Sequence, residues 1–212
     1  MTGTLSSEKW GEVSFDIVSV TFIRGEAFKH KDFTESECRL IRTPDLTNSE
    51  ENLARCLLLA RMRGGLLSGI PPDTVWYEVR YLKGEHLDEL RVLRYPYWIS
   101  PNDENELGKV GLRIPKRLQK EPKALAGNQV LEYFSADPNQ WQSPILWGHS
   151  KAGPFTILEG THRLVSHYAE AQASVTFRNI VYVGLSESSC HWHFPDQLDV
   201  QYEVNRAYAP SR

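Results

Sequence analysis

PFTILEGTHRL, residues 154–164, is the stretch of this 212-residue chain that decides the fold. Residues 155–158 predict a short, largely apolar strand, and the glycine at position 160 predicts a tight passage from that strand into a helix. The first N–H groups of a helix have no partner within it and therefore attract anions. Arginine and histidine in that first turn add donors suited to phosphate oxygens. The predicted phosphate site consists of Gly160, Thr161, His162 and Arg163.

Apolar segments on both sides extend this unit. Residues 144–147 predict an earlier strand, residues 161–169 predict the helix itself, and residues 179–183 predict a later strand. Strands and helices in this order predict an α+β fold.

The box Gly160-Thr161-His162-Arg163 follows two predicted strands, residues 144–147 and 155–158, that are joined by a turn. This arrangement resembles the ParB/sulfiredoxin superfamily. Members of that superfamily carry a Gly-x-x-Arg or Gly-x-His-Arg box after a strand, and the resemblance covers about residues 141–185. It implies a small mixed sheet with flanking helices, here with an N-terminal elaboration. It also implies that the box binds a nucleotide (ATP, ADP or CTP) together with Mg²⁺.

The box departs from two branches of that superfamily and is closer to a third. Thr161 stands where sulfiredoxins have their catalytic cysteine, and a hydroxyl does not replace a thiolate in that chemistry. The chromosome-segregation branch has Glu-Arg-Arg after the glycine, whereas this chain has Thr-His-Arg. Free-serine kinases have an acidic residue before the glycine, and Glu159 occupies that position.

Glu159 and His162 are the predicted catalytic residues. As a catalytic group Glu159 activates a hydroxyl or water or helps to hold Mg²⁺, and as a structural group it braces the N-terminus of the helix. His162 is either an acid–base group or a histidine with a structural hydrogen bond. Both interpretations remain open at the level of sequence.

Three classes of function follow from the box. The first is a small-molecule phosphotransferase or nucleotide hydrolase, in which the box holds the phosphates. The second is a non-catalytic module that binds a nucleotide or nucleic acid. The third is a ParB-like phosphodiesterase or nuclease that uses His162, His191 and His193.

A second cluster, Cys190-His191-x-His193, contains side chains that ligate zinc. Its spacing matches no finger or ribbon, because no second pair lies at the required distance. In an extended segment His191 and His193 share a side, and His149, His162 or His167 could complete a three-ligand site. The sequence leaves this open, and no metal ligand is assigned.

Composition indicates the class of binding partner and the cellular compartment. A net charge of −3 and a pI near 6.2 disfavour binding of extended nucleic acid and favour a small-molecule substrate. The three cysteines lack CxxC spacing, which fits a reducing compartment. No apolar run approaches the roughly 20 residues that span a membrane, and the polar N-terminus has no signal-peptide pattern. We therefore expect a cytoplasmic protein.

The remaining segments predict a division into an N-terminal strand and helix unit, residues 1–70, and a box domain, residues 71–212, or one continuous domain. The predicted elements are a strand at 13–22, a loop at 25–47, a helix from Asn48 to Gly64, a strand at 75–82, a short helix at 86–93, a polar connection at 99–127 and a helix at 128–136.

Overall fold

The computed structural model describes residues 10–27, 33–80, 82, 84–93, 106, 142–171 and 179–193. These residues form a mixed α+β fold with one six-stranded sheet. The strands are β1 (Trp10–Val13), β2 (Val75–Val79), β3 (Arg91–Val92), β4 (Ile145–Gly148), β5 (Thr156–Glu159) and β6 (Val181–Leu185). The described helices are α1 (Phe15–Ala27), α2 (Glu35–Arg42), α3 (Ser49–Leu67), α4 (Gly84–Glu89) and α5 (Thr161–Ala171), the last of which follows β5.

The strand order in the sheet is β1-β2-β6-β4-β5-β3. Two neighbouring pairs are parallel, β4 with β6 and β3 with β5, and the other pairs are antiparallel. Because β1 pairs with β2, the sheet spans the predicted boundary near residue 70. The buried apolar side chains form one core that includes Val18 of α1, Leu59 of α3 and Leu164 of α5.

The predictions around the box are confirmed. The strands expected at 144–147, 155–158 and 179–183 are β4, β5 and β6, each displaced by one or two residues. Helix α5 begins at Thr161, directly after Gly160, and continues to Ala171.

The predicted strand at 13–22 is wrong. Strand β1 ends at Val13, and Phe15 begins helix α1. Four residues of α1 are fully buried with helical spacing, namely Val18, Ser19, Phe22 and Ile23. β-branched residues favour strands only weakly, and burial of this helix face outweighs that preference.

The predicted loop at 25–47 is also wrong, because α2 lies within it. Its N-terminus is a capping box: the Thr34 hydroxyl accepts a bond from the Glu37 N–H at 3.3 Å, and the Glu37 carboxylate accepts one from the Thr34 N–H at 2.8 Å. This reciprocal pair satisfies donors that the first helical turn leaves open.

The start of α3 is confirmed and its predicted end is wrong. The Asn48 side chain accepts bonds from the N–H groups of Glu50 and Glu51, as expected of an N-cap. The helix does not stop at Gly64 but continues to Leu67, with a local break at Arg63 (φ −138°, ψ 29°). Burial of Leu66 in the core stabilises the additional turn.

The later predictions are confirmed only in part. Strand β2 begins at Val75 as predicted but ends at Val79, and the predicted helix at 86–93 divides into α4 and β3. The Arg91 N–H donates to the Phe155 carbonyl at 2.7 Å, so pairing with the box unit determines β3. The segments 99–127, apart from Glu106, and 128–136 lie outside the described residues.

Gly184 of β6 provides a test of the sheet packing. A Cβ atom there would lie 2.9 Å from the Trp76 ring and 2.7 Å from the Thr74 methyl group. We expect Gly184→Ala to lower the free energy of unfolding by about 1–3 kcal/mol, because the indole must move. Urea denaturation measures the change.

The matched control is Gly11→Ala in β1, where an added Cβ meets no atom within 4 Å. This variant should stay within about 0.5 kcal/mol of the wild type. Equal stability of the two variants would contradict the described packing of Trp76.

Candidate functional site

The passage from β5 into α5 depends on Gly160. Its φ of +92° is a backbone conformation that residues with a side chain rarely adopt. A Cβ atom would also lie 3.1 Å from both the Pro144 Cα and the Arg163 Nη2. The Gly160 carbonyl accepts the first helical bond, from the Leu164 N–H at 3.0 Å. The chain therefore turns from strand to helix within a single residue.

A buried ion pair lies beside this turn. The Arg163 Nη2 donates to the Glu159 Oε1 at 3.1 Å, and the two residues are 3% and 8% exposed. A charge removed from water to this extent is stable only when it is paired. The pair therefore fixes the guanidinium against the turn.

Glu159 also contacts two other helices. The Arg63 Nη2 lies 3.6 Å from the Glu159 Oε2, and it comes from the local break in α3. Gly25 of α1 packs so closely that a Cβ there would lie 3.1 Å from the Glu159 Oε1. One carboxylate thus joins the end of β5 to α1, α3 and α5.

The structure brings all the predicted site residues to one turn, and it gives them different surroundings. Arg163 and Glu159 are directed at each other and buried, whereas Thr161 and His162 are partly exposed. The contacts of Glu159 with two guanidinium groups favour the brace interpretation over the general-base interpretation. Sequence reasoning did not find Arg63 or Gly25, which have no local signal.

A second polar group, here called the histidine cluster, consists of His149, His193, Thr156 and Trp147. It lies at the beginning of β5, whereas the box lies at its end. The His193 Nδ1 and the Thr156 Oγ1 are 2.9 Å apart in a buried hydrogen bond. The His149 and His193 ring centroids are 5.0 Å apart, and each lies about as far from the Trp147 ring.

His193 is 5% exposed. Burial, together with electrostatic interaction with His149 and Arg91, lowers the pKa of His193 to about 4. Its imidazole is therefore neutral at pH 7.

Three side chains of the predicted Cys190-His191-x-His193 cluster do not share one environment. His191 is exposed, while Cys190 is buried and burial raises the pKa of its thiol to about 12. Within the described residues, no group of three or more histidine, cysteine or acidic side chains could hold a metal ion.

Two histidines of the nuclease hypothesis, His162 and His193, are also separated. His193 contacts Thr156 at the first residue of β5, whereas His162 follows the last, Glu159. Three residue steps along a strand measure roughly 10 Å. His162 and His193 therefore belong to different ends of the sheet.

Comparison of the chain with protein-family models, curated protein sequences and solved structures gives no match. In the described part of the chain, no helix has the length and apolar character needed to cross a membrane.

The Glu159–Arg163 pair can be tested by a double-mutant cycle with Glu159→Gln and Arg163→Met. Each single change removes one side of the buried pair and should lower the free energy of unfolding by about 3 kcal/mol. The double variant should lose at least about 1 kcal/mol less than the sum of the two. Denaturant titration of the four proteins measures the coupling.

Arg63→Met is the matched control for this cycle, since Arg63 faces the other carboxylate oxygen at 3.6 Å and its side chain is 25% exposed. Partial exposure screens such a pair, so its coupling with Glu159 should be below about 1 kcal/mol. Additive effects of Glu159→Gln and Arg163→Met would refute the brace interpretation.

Proposed function

We propose that this chain is a nucleotide-dependent enzyme with a ParB/sulfiredoxin-like core, which holds phosphate at the turn Gly160–Arg163. The reaction class is phosphoryl transfer to a small molecule or nucleotide hydrolysis. The observation that carries the proposal is the direct passage from β5 into α5 through Gly160, with the Arg163 guanidinium against that glycine. Strand-to-helix turns of this kind present N–H groups to phosphate.

The charges around the turn support an anionic ligand. Two guanidinium groups, of Arg63 and Arg163, face the single carboxylate of Glu159. Both guanidinium groups lie near the positive end of the α5 dipole, which also favours a negative ligand. The Arg63 side chain remains partly exposed, so it can reach a phosphate that also accepts bonds from the N–H groups of Thr161 and His162.

The contacts support a different role for each of the predicted residues. Phosphoryl transfer depends mainly on positioning and on stabilising negative charge, which are tasks for the turn and the arginines. Glu159 acts as a positioning residue that orients Arg163. His162, in the first turn of α5, is the residue proposed to move a proton.

Mg²⁺ prefers carboxylate and phosphate oxygens. Both oxygens of Glu159 face guanidinium groups, so Glu159 does not fit as its ligand. We therefore derive no step through this ion.

A non-catalytic nucleotide-binding module is the second proposal. It is favoured by the same engagement of Glu159, because a carboxylate directed at two arginines is not directed at a substrate hydroxyl. The two proposals share the phosphate site and differ only in turnover.

Thr161→Asp tests the phosphate site without removing a buried group. A carboxylate at the first residue of α5 should repel phosphate, so affinity for the tightest-binding of ATP, ADP and CTP should fall at least about tenfold, or 1.4 kcal/mol. Stability should be unchanged or slightly higher, since an acidic residue suits a helix N-terminus. Calorimetric titration and thermal unfolding measure the two effects.

Ser49→Asp is the matched control, because it places the same charge at the first, exposed residue of α3. It should leave nucleotide affinity unchanged. Absence of nucleotide binding by the wild type, or equal loss in both variants, would overturn the proposed phosphate site.

Turnover separates the enzyme from the module. In a screen of hydroxyl-bearing metabolites with ATP, ADP and CTP, the enzyme consumes nucleotide, and His162→Ala lowers turnover about 10²–10⁴-fold with little change in affinity. Binding without any turnover would select the module.

A further inference from the structure

We propose that His149 and His193 form a binding site for a divalent transition-metal ion, such as Zn²⁺, through their Nε2 atoms. The site lies at the end of β4 and the beginning of β5, away from the Gly160 turn. The inference does not depend on the proposed phosphate site.

Both imidazoles have a hydrogen-bonding partner at Nδ1. The His149 Nδ1 lies 3.0 Å from the Ser186 carbonyl oxygen. Because a carbonyl only accepts, the His149 Nδ1 donates, and the lone pair of the neutral ring is at Nε2. The His193 Nδ1 lies 2.9 Å from the Thr156 hydroxyl, which can accept its proton and so leave the lone pair of His193 at Nε2 as well. Metal-binding histidines characteristically use their second nitrogen in such a bond.

The spacing of the two rings suits one shared ion. Their centroids are 5.0 Å apart and their planes are inclined by 77°. A tetrahedral ion bound to one nitrogen of each ring at about 2.0–2.1 Å holds the ring centroids roughly 5 Å apart. The separation of the rings therefore matches that of two histidines on one ion.

Both rings are held by surrounding structure. The turn that carries His193 is fixed by two bonds to the end of α3 and the residues after it: the Trp192 Nε1 donates to the Leu66 carbonyl at 2.8 Å, and the His191 N–H donates to the Gly69 carbonyl at 3.1 Å. His149 packs against Trp147, whose indole N–H donates to the Thr74 hydroxyl at 3.2 Å. Preorganised ligands lose little freedom when they bind.

The donor set determines the class of ion. Imidazole nitrogens suit Zn²⁺, Cu²⁺ and Ni²⁺, whereas Mg²⁺ and Ca²⁺ require oxygen ligands. The described residues supply no third histidine, cysteine or acidic ligand. The remaining coordination positions of the ion are therefore filled by water or by a substrate atom. An open coordination position is a property of catalytic rather than structural zinc sites.

The test is calorimetric titration of the full chain, previously treated with EDTA and desalted, with ZnSO₄, and visible absorption with CoCl₂. We expect one Zn²⁺ per chain, at least a tenfold weaker affinity in His149→Ala, and loss of the Co²⁺ absorption band in the same variant. His149 is exposed, so this variant leaves the core intact. MgCl₂ should give no binding at this site.

His191→Ala is the matched control, because His191 is an exposed histidine two residues from His193. It should bind Zn²⁺ within about twofold of the wild type, while His193→Gln should resemble His149→Ala. Unchanged Zn²⁺ affinity in His149→Ala would overturn the proposal, as would a loss in His191→Ala equal to that in His149→Ala.

Discussion

The carboxylate of Glu159 is the constraint on which the arrangement around the box depends. It is almost fully buried at the end of β5, and a buried charge requires partners that neutralise and hydrogen-bond it. Arg163 and Arg63 meet this requirement, and Gly25 leaves the room that the carboxylate needs. A neutral residue at position 159 would remove the carboxylate that both arginines face. The packing of three helices on the sheet is therefore electrostatic at this point, and not only apolar.

Strand β5 connects the two polar groups of the molecule. Its four residues are all buried, and it lies between β4 and β3. Thr156 at its start belongs to the histidine cluster, and Glu159 at its end belongs to the box. Because neither residue can turn to solvent without disrupting the sheet, the separation of the two groups is fixed by the rise of one short strand. The two groups are therefore held at a constant distance from each other.

The sequence was sufficient to predict the box unit, because local signals and tertiary structure agree there: a strand, Gly160 and helix α5 follow in order. The N-terminal third was less predictable. In helix α1 Val20 is buried as well as the face of Val18, Phe22 and Ile23, so its apolar residues are not confined to one side as in a surface helix. Helix α2 did have a local signal, the capping pair Thr34 and Glu37, and it was missed. The contact between Arg63 and Glu159 joins residues nearly a hundred positions apart, and no spacing rule relates them.

The position of β6 in the sheet has a consequence for how the chain folds. The last strand in the described sequence lies in the middle of the sheet, between β2 and β4. Until Leu185 has left the ribosome, β2 and β4 cannot pair with β6. About a hundred residues are synthesised between the end of β2 and the start of β6. Such long-range pairing slows folding and exposes strand edges to association with other chains. The inner edges of β2 and β4 are therefore exposed to such association until β6 is in place between them.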